Sequence, residues 1–119
     1  MQDNLSSQVS AWKSQLKKGT LELAILALLD AKRCYGLELL ERLNELDLEV
    51  GEGSIYPLLA RLRNENKVTT QWVDSGVGHA HKYYSLTPYG HKILNKMLAA
   101  WSEYTNAITG VISKVHPHE

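Results

Sequence analysis

The chain has one cysteine, Cys34, no phenylalanine and three prolines among its 119 residues. A single thiol permits no intramolecular disulfide, so a packed core must hold the fold, and a reducing compartment suits it. Long apolar runs are also missing. The longest, Leu23–Leu29, falls far short of the roughly 20 residues that cross a bilayer. The N-terminal stretch carries no signal-peptide core. The expectation is a cytoplasmic chain with no membrane partner. Net charge is absent too, with 13 Lys+Arg against 13 Asp+Glu. Taken alone, that argues against a nucleic-acid partner. What remains is 44% hydrophobic and 22% charged, the composition of a globular protein. The length suits one compact domain plus an extension.

The neutral total hides a polarised distribution. Residues 1–20 carry +2, residues 21–53 carry −5, residues 54–96 carry +4 and residues 97–119 carry −1. Local field, more than net charge, steers a polyanion. The competing reading is the solvated faces of ordinary helices.

Periodicity places the elements. Leu5, Val9, Trp12 and Leu16 recur at helical spacing, which predicts a short amphipathic helix ended by Gly19. Thr20 is then expected to cap a second helix, apolar nearly all round and destined for the core. A turn over "KRCYG" leads to a further helix with Leu37, Leu40 and Leu43 inward. Two β-branched or aromatic runs, Val68–Val73 and His81–Leu86, flank a glycine-containing tip and read as a hairpin. Thr87 and Pro88 open the last helix as N-cap and first residue. Along it Leu94, Trp101, Ile108 and Val115 repeat every seven residues, joined by Met97, Leu98, Tyr104 and Val111. That heptad-like seam outreaches a small domain and calls for a second subunit. The expected organisation is an N-terminal helix over 1–19, a central domain over 20–87 and a dimerisation helix with tail over 88–119.

"EGSIYPLLARLRNENKV" (Glu52–Val68) raises its own question. Ile55, Leu58, Leu59 and Leu62 share a helical face, yet Pro57 falls inside the pattern. Proline lacks the N–H that a helix interior needs, so it is expected only in the first turn. That places the N-cap at Ser54, with Asn66 at the left-handed C-cap. Ser54, Tyr56, Pro57, Arg61, Asn64 and Lys67 are then left facing outward.

Helices followed by a two-stranded hairpin are the order of a winged helix-turn-helix, a mainly α fold. Its third helix enters the DNA major groove and its wing lies over phosphates. The +4 segment contains those two parts. Ser54 and the helix start can hold phosphate oxygens. Arg61, Arg63, Lys67 and Lys82 can neutralise phosphates, and an arginine can read guanine. Tyr56 offers a hydroxyl to phosphate and an apolar face to a thymine methyl.

"YGLEL" (Tyr35–Leu39), "GSIYPLLARL" (Gly53–Leu62) and "KYYSLTPYG" (Lys82–Gly90) together resemble the PadR family of bacterial transcriptional regulators, over roughly Gly19 to Trp101. The resemblance implies a homodimeric winged-helix repressor bound to an inverted-repeat operator in double-stranded DNA. It implies an interface built on the last helix and, in many members, release by a small aromatic or lipophilic ligand. The short last helix is similar to that of multidrug-sensing members, in which a tryptophan flanks a pore at the dimer centre; Trp101 matches it. Arg63, Asn66 and Lys67 depart from the acidic residue, glycine and leucine usual there. His81 replaces an arginine in the wing and is charged only when protonated.

Other readings stand beside these. Trp101 can be a plain interface anchor, and Trp12 can pack on the partner's last helix. Trp72 and Tyr84 fit wing packing. Cys34 adjoins Lys32 and Arg33, as a redox-sensing thiol would, but buried structural cysteine is the commoner case. His79 and His81 make a thin metal pair, and His116 and His118 fall in the tail. No nucleophile–base pair, phosphate-cradling loop or paired carboxylates appear, so no enzyme, cofactor or metal is expected. The alternatives to a regulator are a winged-helix protein-interaction module and a drug-binding protein without a DNA role.

Overall fold

The computed structural model describes residues 4–74, 76 and 78–115; His116 and His118 lie outside them. The elements are α1 (Asn4–Ala31), β1 (Cys34–Tyr35), α2 (Gly36–Glu45), α3 (Glu52–Asn64), β2 (Val68–Asp74), β3 (Ala80–Leu86) and α4 (Pro88–Val115). The three strands form one antiparallel sheet in the order β1-β3-β2. Thr70 pairs with Tyr84 and Trp72 with Lys82 across the hairpin, while Cys34 pairs with Tyr84 and Tyr35 with Tyr83. This is a winged helix with a small sheet. Its third strand, inside "KRCYG", is too short to announce itself by periodicity.

The expected break at Gly19 is absent. One 28-residue helix runs through it. Thr20 does not cap a new helix; its hydroxyl donates to the Leu16 carbonyl at 2.7 Å, one turn back. A mid-helix glycine costs about 1 kcal/mol relative to alanine, too little to break a helix whose C-terminal half is anchored by Ile25, Leu26 and Leu29.

The core gathers those residues with Leu39 and Leu43 of α2, Ile55, Leu59 and Leu62 of α3, Val68, Tyr84 and Leu94. α2 is rotated from expectation: Leu39 is buried and Leu37 is 47% exposed. Tyr35 donates its N–H to the Glu38 carboxylate at 3.3 Å, and Gly36 abuts the Tyr56 ring so closely that a Cβ there would collide with it. Those contacts fix the phase of the helix. Cys34 is buried, and burial, then the Glu38 charge, push its thiol above the ordinary range. A thiol so placed resists becoming the reactive thiolate.

α3 starts earlier than Pro57 suggests. Its N-cap is Gly51 rather than Ser54, so Pro57 lies inside the helix. The Ser54 and Ile55 N–H groups both donate to the Gly51 carbonyl, at 3.1 and 3.2 Å. Pro57 deprives the Gly53 carbonyl of its partner, and Gly53 is exposed, where water can take that place. The proline is therefore tolerated one turn deeper than the donor count alone suggests. The far end matches expectation. Asn66 is left-handed, with φ 62°. The Lys67 N–H donates to Leu62 at 2.9 Å and the Asn66 N–H to Arg63 at 3.0 Å, the paired bonds of a Schellman cap.

Thr87 caps α4, accepting the Gly90 N–H at 2.9 Å, while its own hydroxyl donates to the Asn66 carbonyl at 2.6 Å. The end of α3 and the start of α4 are thus stitched together. Gly90 is required there, because a Cβ would collide with the Lys67 carbonyl.

Candidate nucleic-acid interface

α3 is held by its buried row, so its opposite face is presented outward. Ser54, Tyr56, Pro57, Arg61, Arg63 and Asn64 are all exposed. At 100° per residue, Pro57 and Asn64 are central to that face, Tyr56 and Arg63 lie toward the wing, and Ser54 and Arg61 lie toward α1. Tyr56 is 41% exposed and rests its ring on Gly36, so it is braced from the α2 side rather than free. An open cleft of about 350 Å³ separates Tyr56 from the wing residues Trp72, His81 and Lys82.

The wing orders its own side chains. Lys82 places its ammonium 5.8 Å from the centre of the Tyr84 ring. His81 points to the other face of the strand and stacks on Tyr35 at 4.3 Å. Tyr35 meets Tyr83 edge-on, and the Arg33 guanidinium lies 4.9 Å over Tyr83. In the sequence Arg33 and Tyr35 read as turn residues, and nothing there places them beside the wing. The two-residue strand brings them beside the wing. Burial, then Tyr56, push the Tyr84 hydroxyl above the usual tyrosine range, against the pull of Arg63.

Two of the expected DNA contacts are engaged within the protein. The Glu22 carboxylate accepts from Arg61 Nη2 at 2.9 Å and from Lys67 Nζ at 2.8 Å. Glu65 accepts from Arg61 Nη1 at 3.0 Å and from Lys67 Nζ at 3.0 Å. Lys67 is only 16% exposed at its side chain, so it does not belong to the outward set. Its backbone lies just past the Schellman cap, which turns the side chain toward α1. Burial would raise the Glu22 carboxyl, but hydrogen bonds from Lys67 and Arg61 outweigh it and hold Glu22 below the usual range. Burial would likewise lower the Lys67 ammonium, and its bonds to Glu22 and Glu65 reverse that. The square locks the end of α3 onto α1.

The residues of the expected subunit interface lie elsewhere. Leu94 is buried in the domain, Met97 packs against it, and Leu98, Trp101, Tyr104 and Ile108 are exposed along α4. Trp12 is exposed on α1. Trp101 lines a groove of about 270 Å³ whose other walls include Lys17, Leu21 and Ala24 of α1 and Leu48 and Val50 of the α2–α3 loop. Among the described residues, no group of three or more His, Cys, Asp or Glu side chains could hold a metal ion, and no helix is long and apolar enough to cross a membrane.

Comparison with known proteins agrees with this architecture. The profile of the Transcriptional regulator PadR-like family matches residues 25–96. A PadR-like transcription factor from Bacteroides fragilis is similar at 38% identity and a TM-score of 0.71, over 85% of this chain and 98% of that one. A PadR-like transcriptional regulator from Bacillus cereus shares 33% identity with a TM-score of 0.77, over 82% and 96%. A PadR family regulator from Eggerthella lenta shares 26% identity with a TM-score of 0.81, over 91% and 95%. No curated protein matches the chain.

Proposed function

Since the chain belongs to the PadR-like family of transcriptional regulators, and so is a regulator rather than an enzyme, we propose that it is a homodimeric, sequence-specific repressor that works in the cytoplasm. Its operator is an inverted repeat in double-stranded DNA. Ser54, Tyr56, Pro57, Arg63 and Asn64 face the major groove, and Lys82 of the wing faces phosphates; His81, on the other face of the strand against Tyr35, meets a phosphate only if it leaves that stack. Arg61 joins them to the extent that a phosphate replaces Glu22 as its partner. Lys67 braces the helix from behind. The two recognition helices of the dimer occupy successive major grooves, about 34 Å apart.

The observation that supports the dimer is the exposed apolar length of two helices. Leu98, Trp101, Tyr104, Ile108, Val111, Ile112 and Val115 are each at least 42% exposed on α4, as are Leu5, Val9, Trp12 and Leu16 on α1. A monomer rarely presents so continuous an apolar surface to water. A flat aromatic or lipophilic effector fits between the last helices at Trp101. Bound there it would alter the spacing of the recognition helices, and operator affinity would fall to the extent that the ligand prefers the altered spacing.

A mobility-shift assay on the DNA upstream of the chain's own gene, with and without a panel of aromatic compounds, tests the reading. Binding is expected to weaken steeply with salt and to be relieved by at least one compound. Trp101→Ala should abolish that relief and spare the operator complex. A complex insensitive to salt, or no complex at all, would favour a protein-interaction module. Ligand binding that leaves DNA affinity unchanged would favour a drug-binding protein.

A further inference from the structure

The recognition helix has two flanks, and the wing serves only one of them. Arg63 and Tyr56 face the wing; Ser54 and Arg61 face α1. Along that second flank runs a surface groove of about 580 Å³, with Ser14, Lys17 and Lys18 of α1 on one wall and Ser54, Pro57 and Arg61 of α3 on the other. The groove holds three cations in different states. Arg61 is paired with Glu22 and Glu65. Lys17 donates to the Glu49 carbonyl at 3.0 Å. Lys18 is exposed, and among the described residues it makes no hydrogen bond or ion pair.

The position of Lys18 around α1 matters as much as its charge. Ser14, Lys18 and Leu21 stand at i, i+4 and i+7 and form one row. The exposed stripe of Leu5, Val9, Trp12 and Leu16 lies about 150° away at 100° per residue. A partner subunit seated on that stripe therefore leaves Lys18 open. A helix with its side chains is about 10–12 Å across and the major groove about 12 Å wide, so a helix lying in the groove meets both phosphate walls. The wing meets one wall. On the other, among the described residues, Lys18 is the unengaged cation lining the groove.

We propose that α1 is a second DNA-positioning element, in which Lys18 holds a backbone phosphate of the strand opposite the one under the wing. The same phosphate comes within range of Ser54 and Arg61 across the groove. This rests on the DNA-binding reading above. A phosphate contact fixes register and adds affinity without reading sequence, so Lys18 contributes equally to operator and unrelated duplex.

Fluorescence anisotropy of the full chain on labelled upstream duplex and on a scrambled duplex, across a salt series, provides the test. Lys18→Gln is expected to reduce the slope of log K against log salt by about 1.8 for the dimer, about 0.9 for the one phosphate held by each protomer. The ratio of operator to scrambled affinity should stay as in the wild type, and Lys18→Arg should restore the slope. Lys82→Gln on the wing is the comparator. An unchanged slope for Lys18→Gln beside a reduced one for Lys82→Gln overturns the role of α1 and leaves the DNA reading standing. A changed operator-to-scrambled ratio also overturns it. Wild-type chain with no salt-dependent binding to either duplex overturns the underlying reading instead.

Discussion

The folded body between Ile25 and Leu94 and the two helical arms that leave it obey different rules. In the body, nine large side chains on four helices are fully or almost fully buried against one another. The N-terminal half of α1 and the C-terminal half of α4 bury little, and their apolar residues face outward. The radius of gyration is 17.5 Å, against about 13.5 Å for a compact chain of this length; the arms account for the excess. α1 joins the two regimes in a single helix. Its core row of Ile25, Leu26 and Leu29 and its outer stripe of Leu5, Val9, Trp12 and Leu16 are rotated by roughly 120° at 100° per residue. The helix thus turns one face to its own core and another to solvent. Stability within the body comes from burial inside the chain, whereas the arms bury little of their apolar surface.

The comparison breaks most severely from inside the body. Leu59 is fully buried on α3, and Leu59→Ala is expected to cost about 2–5 kcal/mol. Chemical denaturation at fixed protein concentration would read this as a lower midpoint, with operator binding lost in parallel. Gly90→Ala comes next. Its methyl has only the Lys67 backbone carbonyl to displace, so α4 must shift away from the end of α3, at about 1–3 kcal/mol. A Gly90→Ala chain as stable as wild type would show that this junction is looser than its hydrogen bonds indicate.

The arms should respond in the opposite manner. Ile108→Asp and Val111→Asp lie beyond the body, so helical content and the body's core should survive. Self-association should not. Burying a carboxylate in an apolar seam is expected to cost at least about 2 kcal/mol per site, some 30-fold in the dimer dissociation constant. Sedimentation equilibrium of the double variant should return a monomer, and its operator binding should lose cooperativity between half-sites. A double variant that stays dimeric would assign the exposed seam some other role.

Much of this was legible in the sequence, and the misses have two causes. The winged-helix order, the Thr87 cap, the left-handed Asn66 and the seam of α4 all rest on local chemistry, which a sequence displays directly. The break at Gly19 was misread because two apolar stripes at different angles look like two helices. The start of α3 was misread because donor counting treats Pro57 as intolerable beyond the first turn, whereas an exposed carbonyl at Gly53 can turn to water. Helical spacing leaves Lys67 off the apolar face, but the backbone turn after Asn66 and the distant Glu22 direct it inward. No local pattern places Arg33 and Tyr35 beside the wing or Lys18 beside α3, because only the tertiary fold brings them there. Contacts distant in sequence account for Lys67, Arg33, Tyr35 and Lys18, whereas Gly19 and Pro57 turn on how much a helix tolerates locally.

The smallest effect tests the link between the two regions. Glu22 sits where α1 enters the body and holds both Arg61 and Lys67 of the recognition helix segment. Glu22→Gln keeps the shape, removes the charge and leaves Lys67 with Glu65 as its one carboxylate partner, at an expected cost of about 1–2 kcal/mol at pH 7. The folded protein holds the Glu22 and Glu65 carboxyls below their ordinary values. Their contribution is therefore present above the unfolded carboxylate pKa and fades as pH falls through the folded one. Arg61 and Lys67 are shifted upward, so their contribution is lost only in strong alkali. Urea denaturation should accordingly show the gap between wild type and Glu22→Gln narrowing as pH drops below about 4, and holding steady between pH 6 and 9. Operator affinity should move against stability. With Glu22 neutralised, Arg61 faces less competition for a phosphate, so a less stable variant should bind DNA more tightly. If stability and affinity fall together, Glu22 serves DNA binding by holding α3 in place, and release of Arg61 is not what limits it.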